Sequence, residues 1–309
     1  MEDFVTRPDL LSRERIAVLS VKSDLRSLAH LGLHFAALGV TGTLLWLASG
    51  GWWAVPAMIV HGIVIAFLFC AHHELIHRTP FRRKGVNDAL AFITGWLIIY
   101  PAFYFRLFHY AHHRHTQDPS LDPELSSTAP TTRGAFLWWG LGWPYMRRRF
   151  GTSLKHALTG RARQNFVRDG DVAGCIAEAR WMWGLYLVVI AGSIGIGTWA
   201  ALLYWVLPLL LGQPFLRLYL MAEHTGCARG KDMIANTRTT ISNPIVRALA
   251  WNMPYHTEHH VFPSVPFHAL PVLHEDMKEH LKNVAPGYVA VHRGLWRALS
   301  TRGEELAHG

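Results

Sequence analysis

Charge is what this chain lacks over its two longest stretches. No Asp, Glu, Lys or Arg occurs in the 47 residues from Ser27 to His73, or in the 36 from Trp181 to Leu216. A helix needs about 20 apolar residues to cross a bilayer, so each run is sized for two spans joined by a turn. The soluble alternative is two buried core helices per run, but a chain that is half apolar and holds thirteen Trp is too greasy for an ordinary soluble domain. Cysteine is scarce as well. Cys70, Cys175 and Cys227 have no paired spacing, which argues against a disulfide scaffold or a zinc ribbon and favours reduced cytoplasmic thiols. Repeats, low-complexity tracts and linkers are lacking too, so residues 1–309 read as one domain. Met1 to Arg26 is charged and has no continuous apolar core, so it is expected to be a cytoplasmic arm and not a cleaved signal peptide.

Within the first run, Ser49-Gly50-Gly51 followed by Trp52 and Trp53 reads as a tight interfacial turn with an aromatic anchor. The second run breaks near Gly192 to Trp199. The expectation is an all-α integral membrane protein with four transmembrane helices in two hairpins, at about 27–48, 52–72, 181–198 and 201–220. A shorter apolar stretch, Ala89 to Phe105, contains Pro101 and is expected to dip into one leaflet. The turns inside the hairpins carry no Lys or Arg, whereas Arg82-Arg83-Lys84, Arg147-Arg148-Arg149, Arg161, Arg163 and Arg168 lie in the connecting segments. By the positive-inside rule, both termini, the middle segment and the region 221–309 face the cytoplasm, as on a bacterial inner membrane. The net charge of +9 then serves attraction to anionic headgroups. Nucleic-acid binding is disfavoured, because the basic residues flank apolar helices and form no stripe interleaved with aromatics.

What the chain has in abundance is histidine, in three clusters: His73-Glu-Leu-Ile-His77, His109-Tyr-Ala-His112-His113 and His256-Thr-Glu-His259-His260. Helical residues three and four apart share a face, so each cluster can aim its imidazoles at one point. Eight ligands are twice what one closed tetrahedral site needs, and imidazole suits iron as well as zinc. Two metal ions held mainly by nitrogen is the economical reading. The first cluster alone also matches the zinc-protease pattern, with Glu74 as general base. A zinc protease, however, has no use for three or four further imidazoles in the second cluster. Pro263 and Pro266 require any helix carrying the third cluster to stop soon after His260.

These clusters resemble the membrane-bound fatty acid desaturase and hydroxylase superfamily, whose three boxes read His-x-x-x-His, His-x-x-His-His and His-x-x-His-His in that order. The resemblance spans roughly residues 60–280. It includes Ala111-His-His-Arg-His-Thr-Gln-Asp-Pro-Ser-Leu-Asp-Pro-Glu124 and the stretch from Asn252 to Leu273, which are similar to segments of bacterial acyl-lipid and sphingolipid-type desaturases. It implies a cytoplasmic helical cap holding two iron ions, O2 as co-substrate, and an acyl chain of a membrane lipid or fatty acid as substrate. It also implies that His224, at the end of the fourth span, is a ninth metal ligand. The alternative for His224 is a helix-end histidine meeting the macrodipole.

Several neighbours are read more modestly. His72 and His115 are off the box spacing and are expected to support ligands from outside. Asp118 and Asp122 precede prolines, so either makes a turn or orients an imidazole. Glu258 is a supporting partner or a solvated side chain. His30, His34 and His61 are expected to form hydrogen bonds between helices. His268, His274, His280 and His292 are expected to be solvated.

The boxes leave the outcome open between a double bond and an alcohol, so a hydroxylase or ketolase acting on a lipid or carotenoid is the alternative to a desaturase, and a zinc hydrolase is more remote. No Gly-x-Gly-x-x-Gly fingerprint and no His-Pro-Gly-Gly heme segment is present. An external donor, a ferredoxin or b-type cytochrome, is therefore implied. Its expected docking surface is Arg147 to Arg149 or Arg161 to Arg168, with headgroup contact as the alternative use.

Overall fold

The apolar runs become long helices around one buried member. The computed structural model describes residues 10–126 and 130–307. A short helix α1 (Arg13–Leu19) leads into α2 (Asp24–Ala48) and α3 (Ala54–His77), joined by a turn in which Gly50 has φ +85° and Trp52 stacks on Trp53. The next elements are α4 (Lys84–Leu97), α5 (Ala102–His115), α6 (Arg133–Gly140), α7 (Trp143–Thr159) and α8 (Asp169–Gly195). A wide π turn over Leu202–Val206 continues directly into α9 (Leu207–His224). Short helices α10 (Met233–Asn236), α11 (Pro244–Leu249), α12 (His256–Val261) and α13 (Leu270–Met277) precede the C-terminal α14 (Tyr288–Ala307). The all-α expectation needs one small addition, a parallel pairing of the two-residue strands β1 (Thr239–Thr240) and β2 (Val284–Ala285).

Four helices are long and apolar enough to cross a membrane: α2, α3, α8 and the continuous segment Leu202–His224. Helix α3 is apolar on all sides and lies in the middle, packed on α2, α4 and α9, so almost every residue from His61 to Ile76 is buried. By contrast α2 and α8 expose Leu28, Leu33, Val40, Leu187, Val188 and Ile194, an apolar surface too extensive for water. The third span begins at Asp169, well before the expected Trp181. Its polar first turns have partners: Glu178 accepts the Phe103 N–H at 2.7 Å, and Arg180 donates to the Ala157 carbonyl at 3.1 Å. The lack of charge marks the apolar part of this helix but not its start.

Helices α4 and α5 form a bent pair, with 99° between them. Their junction leaves carbonyls without intrahelical partners, and side chains from other helices take them. Trp205 Nε1 donates to Leu97 O at 2.7 Å, and the Tyr186 hydroxyl donates to Trp96 O at 2.7 Å. The same solution serves the prolines of the fourth span. Pro208 removes the N–H that would bond Tyr204 O, and His61 Nε2 takes that carbonyl at 3.0 Å. Pro214 frees Leu210 O, which accepts Trp143 Nε1 at 3.1 Å. Of the other intramembrane histidines, His34 bonds Val64 O at 2.9 Å and His30 bonds Ala248 O at 2.8 Å.

Helices α3 and α9 approach so closely at Gly62 and Gly212 that a Cβ on either would overlap the backbone of the other helix, at Pro208 O and Gly62 O respectively. Overpacking of this kind costs about 1–3 kcal/mol or more. Gly62→Leu is accordingly predicted to lower the melting temperature in detergent and the yield of folded protein, whereas Gly39→Ala, with open space around it, should change neither. Equal melting temperatures for the two variants would contradict the packing described.

Candidate metal centre

The three boxes arrive from three directions. Box one is the last turn of α3, box two the last two turns of α5, and box three is α12, which stops at Val261 just before Pro263. A turn with left-handed backbone at Trp251 (φ +53°) and Asn252 (φ +56°) aims α12 inward; it is fixed by Asn252 N–H to Arg247 O at 2.8 Å and Asn252 Nδ2 to Phe267 O at 3.0 Å.

Two groups of imidazoles result. In the first, ring nitrogens of His73, His77, His109, His113 and His259 all lie within 4.8 Å of one another. The second holds His112, His224 and His260 under the same limit. His256 joins it through Nε2, which is 3.1 Å from His224 Nε2. The groups adjoin, since the His113 and His260 rings stack 4.2 Å apart. Neither group contains a carboxylate or a thiol.

The hydrogen bonds behind the rings assign their tautomers. His112 Nδ1–H donates to Asp122 at 2.9 Å, and His224 Nδ1–H donates to Asn236 O at 3.2 Å. With both rings neutral, each presents a lone pair at Nε2, and these two Nε2 atoms are 3.2 Å apart. Two lone pairs at that distance repel unless a proton or a metal ion lies between them. Nitrogens about 2.1 Å from one ion are separated by about 3.0 Å at a right angle and about 3.4 Å at a tetrahedral one. The observed 2.9 Å between His109 and His113 Nε2, 3.1 Å and 3.2 Å fit ligand edges around such an ion. Both ring nitrogens of His73 and His259, with Nε2 of His77 and His260, are buried without a hydrogen-bond partner. Burial, reinforced by neighbouring imidazoles, holds His256, His259 and His260 well below the ordinary histidine pKa, so they stay neutral and able to ligate.

The supporting residues sort themselves by contact. Asp122 orients His112 and also accepts the Gln117 N–H at 2.8 Å. Burial works to raise its pKa, but the adjacent His112 and the backbone donors outweigh that and keep the carboxyl below its usual range. Asp118 makes turn bonds only, to Ser120 and Leu121 N–H. His72 does not support the site; its Nδ1 faces α4, 3.0 Å from Ala91 O. His115 is half-buried at the end of α5 and belongs to neither group. Glu258 is fully buried, held by the Thr239 hydroxyl and by His274 Nδ1, both at 2.5 Å. His274 is therefore not solvated, and neither is His292, which bonds Leu218 O at 2.9 Å. His268 is shielded as well, with buried ring nitrogens, and only His280 of that set is exposed. Glu74 turns away from the imidazoles: its Oε2 accepts Phe267 N–H at 3.0 Å and the Thr79 hydroxyl at 2.9 Å, tying α3 to the loop after box three. Arg149 is buried between Tyr100 and Tyr145, so the basic triplet is not one surface patch. Asn236, Thr116 (3.3 Å from His260 Nδ1) and Glu223 (3.5 Å from His256 Nδ1) have no motif and were not legible beforehand.

A cavity of about 710 Å³ opens beside both groups and touches His73, His109, His112, His224 and His256. Its lining also includes Tyr100, Tyr145, Arg149, Trp139 and Arg217.

With this geometry in view, comparison with known proteins is informative. The fatty acid desaturase family model matches residues 50–292. The chain is 27% identical over 274 residues to the dihydrorhizobitoxine desaturase of Bradyrhizobium elkanii, covering 82% of this chain and 74% of that one. It is 22% identical over 273 residues to a sn-1 oleoyl-lipid 12-desaturase of Picosynechococcus, covering 78% and 74%. A sphingolipid delta(4)-desaturase of Drosophila melanogaster is 27% identical over 240 residues, covering 75% and 68%.

The contact of Asp122 with His112 yields a prediction about metal retention. Asp122→Asn should weaken metal binding roughly 10–100-fold, the usual effect of removing a carboxylate behind a ligating histidine. Asp118→Asn should leave metal content unchanged. Elemental analysis after dialysis against a graded chelator checks both, and indistinguishable retention curves would remove the orienting role given to Asp122.

Proposed function

The chain belongs to the fatty acid desaturase family, and on that premise we propose that it is an oxygen-dependent di-iron desaturase, which removes two vicinal hydrogens from the acyl chain of a lipid or fatty acid. The observation that carries the reading is the pair of adjoining, all-imidazole groups beside a cavity. The first ion would be held by His73, His77, His109, His113 and His259, the second by His112, His224, His256 and His260. Iron with dioxygen supplies the oxidant that an unactivated methylene demands and that no side chain can provide.

The chain's own residues prepare that chemistry. Asp122 and Asn236 orient His112 and His224, and a ligand set of neutral imidazoles would leave bound ions electron-poor. The aromatic wall of the cavity keeps water from the reacting carbon and holds the chain against the imidazole groups, where placement selects loss of a second hydrogen. The relatives' names, which specify lipid desaturation in two cases, support the substrate class. The zinc-hydrolase reading finds no support in Glu74, whose carboxylate is engaged with Phe267 and Thr79. Electrons would come from a ferredoxin or b-type cytochrome meeting the exposed residues Arg147, Arg161, Arg163 and Arg168. We place the helices in two hairpins, with both termini and the imidazole groups in a cytoplasmic cap of a bacterial inner membrane and with Gly50 and Gly195 on the opposite side.

Two measurements test this reading. Protein purified in detergent should carry close to two irons per chain, and a heterologous host expressing it should contain an acyl species lighter by two mass units. One zinc and no iron, or a product heavier by sixteen units instead, would assign a hydrolase or a hydroxylase. Glu74→Gln should keep its iron and measurable activity, because an amide oxygen can still accept from Phe267 and Thr79. His77→Ala, His113→Ala and His260→Ala should be inactive. If Glu74→Gln is as inactive as these while its iron is intact, Glu74 moves protons and the assignment fails.

A further inference from the structure

Two guanidinium groups inside the cavity are left without an anion. Arg149 is 6% exposed; its Nη2 donates to Gln213 Oε1 at 3.2 Å, while Nε and Nη1 are buried with no acceptor. Its cationic carbon lies 4.8 Å from the Tyr100 ring and 4.9 Å from the Tyr145 ring. Arg217 lies 5.2 Å from both the Tyr145 and the Trp139 rings, and its Nε is likewise buried without an acceptor. Arginine keeps its proton at any working pH, so these are two permanent charges meeting on one tyrosine. The acids of the cavity are occupied elsewhere. Asp122 and Glu124 lie 2.9 and 3.8 Å from His112, and Glu223 lies 3.5 Å from His256. Glu124 and Glu223 reach Arg217 only over a longer distance, and among the described residues neither arginine forms an ion pair. Buried fork-shaped donors left unspent in the wall of a cavity match a planar, bidentate acceptor.

We propose that Arg149 and Arg217 bind the carboxylate of a free acid substrate and so set which carbon reaches the imidazole groups. The inference rests on the desaturase reading for its chemistry but on the arginines alone for the headgroup. A carboxylate fits better than a phosphate, because it is planar and carries a single charge, so less charge has to be buried in a cavity that Glu124 and Glu223 already border. Position adds a length. Arg217 and His224 are seven residues apart on α9, nearly two full turns, so they share a face and are about 10 Å apart along the axis. An extended chain advances about 1.2 Å per bond, so about eight bonds separate the acid group from the reacting region.

The test uses iron-loaded protein in detergent and three radiolabelled probes of one length, decanoate, decanamide and decyl phosphate, with binding measured by scintillation proximity. Decanoate should bind at least tenfold more tightly than decanamide. The Arg149→Gln/Arg217→Gln double variant should lose that difference while keeping its iron. Arg149→Lys, which keeps the charge without the fork, should fall in between, and Lys155→Gln, exposed on the same helix, should match the parent protein in decanoate binding. Preference for decyl phosphate would assign the pair to a phosphate headgroup and overturn the carboxylate. Equal binding of acid and amide, no binding of decanoate, or an acid preference that survives in the folded double variant would each overturn the proposal too. Lipid analysis of the expressing host keeps the two readings apart. Arginine-dependent decanoate binding without any product lighter by two mass units sinks the desaturase reading and leaves the carboxylate site standing, whereas such a product without decanoate binding does the reverse.

Discussion

Imidazole lone pairs held face to face and away from water are the constraint on which the rest of this structure depends. The Nε2 atoms of His112 and His224 face each other at 3.2 Å because Asp122 and Asn236 hold the Nδ1 sides of the two rings turned away. Such an arrangement does not arise from apolar collapse, which would let the rings rotate and pair as donor and acceptor. It has to be enforced by elements that cannot shift. That requirement accounts for the rigidity around the site: the glycine contact between α3 and α9, the Glu74 tie from α3 to the loop after α12, and the buried Glu258 between β1 and α13.

Rigidity in a lipid-facing bundle meets a second difficulty, since every interruption of a helix frees a carbonyl that water cannot reach. The chain interrupts its helices repeatedly near the site, at Ile98 to Pro101, at the π turn and at Pro208 and Pro214. Each freed carbonyl meets a donor from a different helix: Trp205, Tyr186, His61 or Trp143. The Trp205 and Tyr186 bonds fasten the fourth span and α8 to α4, and the His61 and Trp143 bonds tie the fourth span to α3 and α7, so the breaks also supply cross-links between helices. Two of the thirteen tryptophans, Trp143 and Trp205, are thus backbone caps within the bundle, as is Tyr186. Trp52 and Trp53, by contrast, are exposed at the turn between α2 and α3.

What could be read from the residues alone follows the same physics. Absence of charge over a long run is a strong signal, and α2, α3 and the fourth span lie where the uncharged runs place them. The start of α8 was illegible because its first turns are polar, and only contacts distant in sequence, with Phe103 and Ala157, make those turns part of the bundle. Histidines at i, i+3 and i+4 could be expected to share a face, but which box meets which could not be known from spacing. Box one and most of box two meet one residue of box three, His259, while His112 crosses to His224, His256 and His260. Asp118 and Asp122 look identical in sequence, each before a proline, and only the tertiary structure separates a turn-former from the partner of His112. The triplet Arg147 to Arg149 fails as one surface patch for a helical reason, since consecutive residues point about 100° apart and the third faces the interior.

The distribution of buried charge carries the last step of the argument. Nine imidazoles would give two bound metal ions ligands but no compensating charge, and a low-dielectric site does not hold such charge alone. The carboxylates of Asp122, Glu124 and Glu223 stand one layer out, each against the back of a histidine. From there they could offset positive charge without occupying a coordination position. Arginines at the same distance would cancel that compensation. Arg217 sits nearly two helical turns from His224, and both arginines lie on aromatic faces that stabilise a cation with no carboxylate of their own, which sets them apart from the charge around the histidines. The cavity between them is thereby polarised along its length, and an acid whose charged end lies at the arginines has only its uncharged chain to present to the imidazoles.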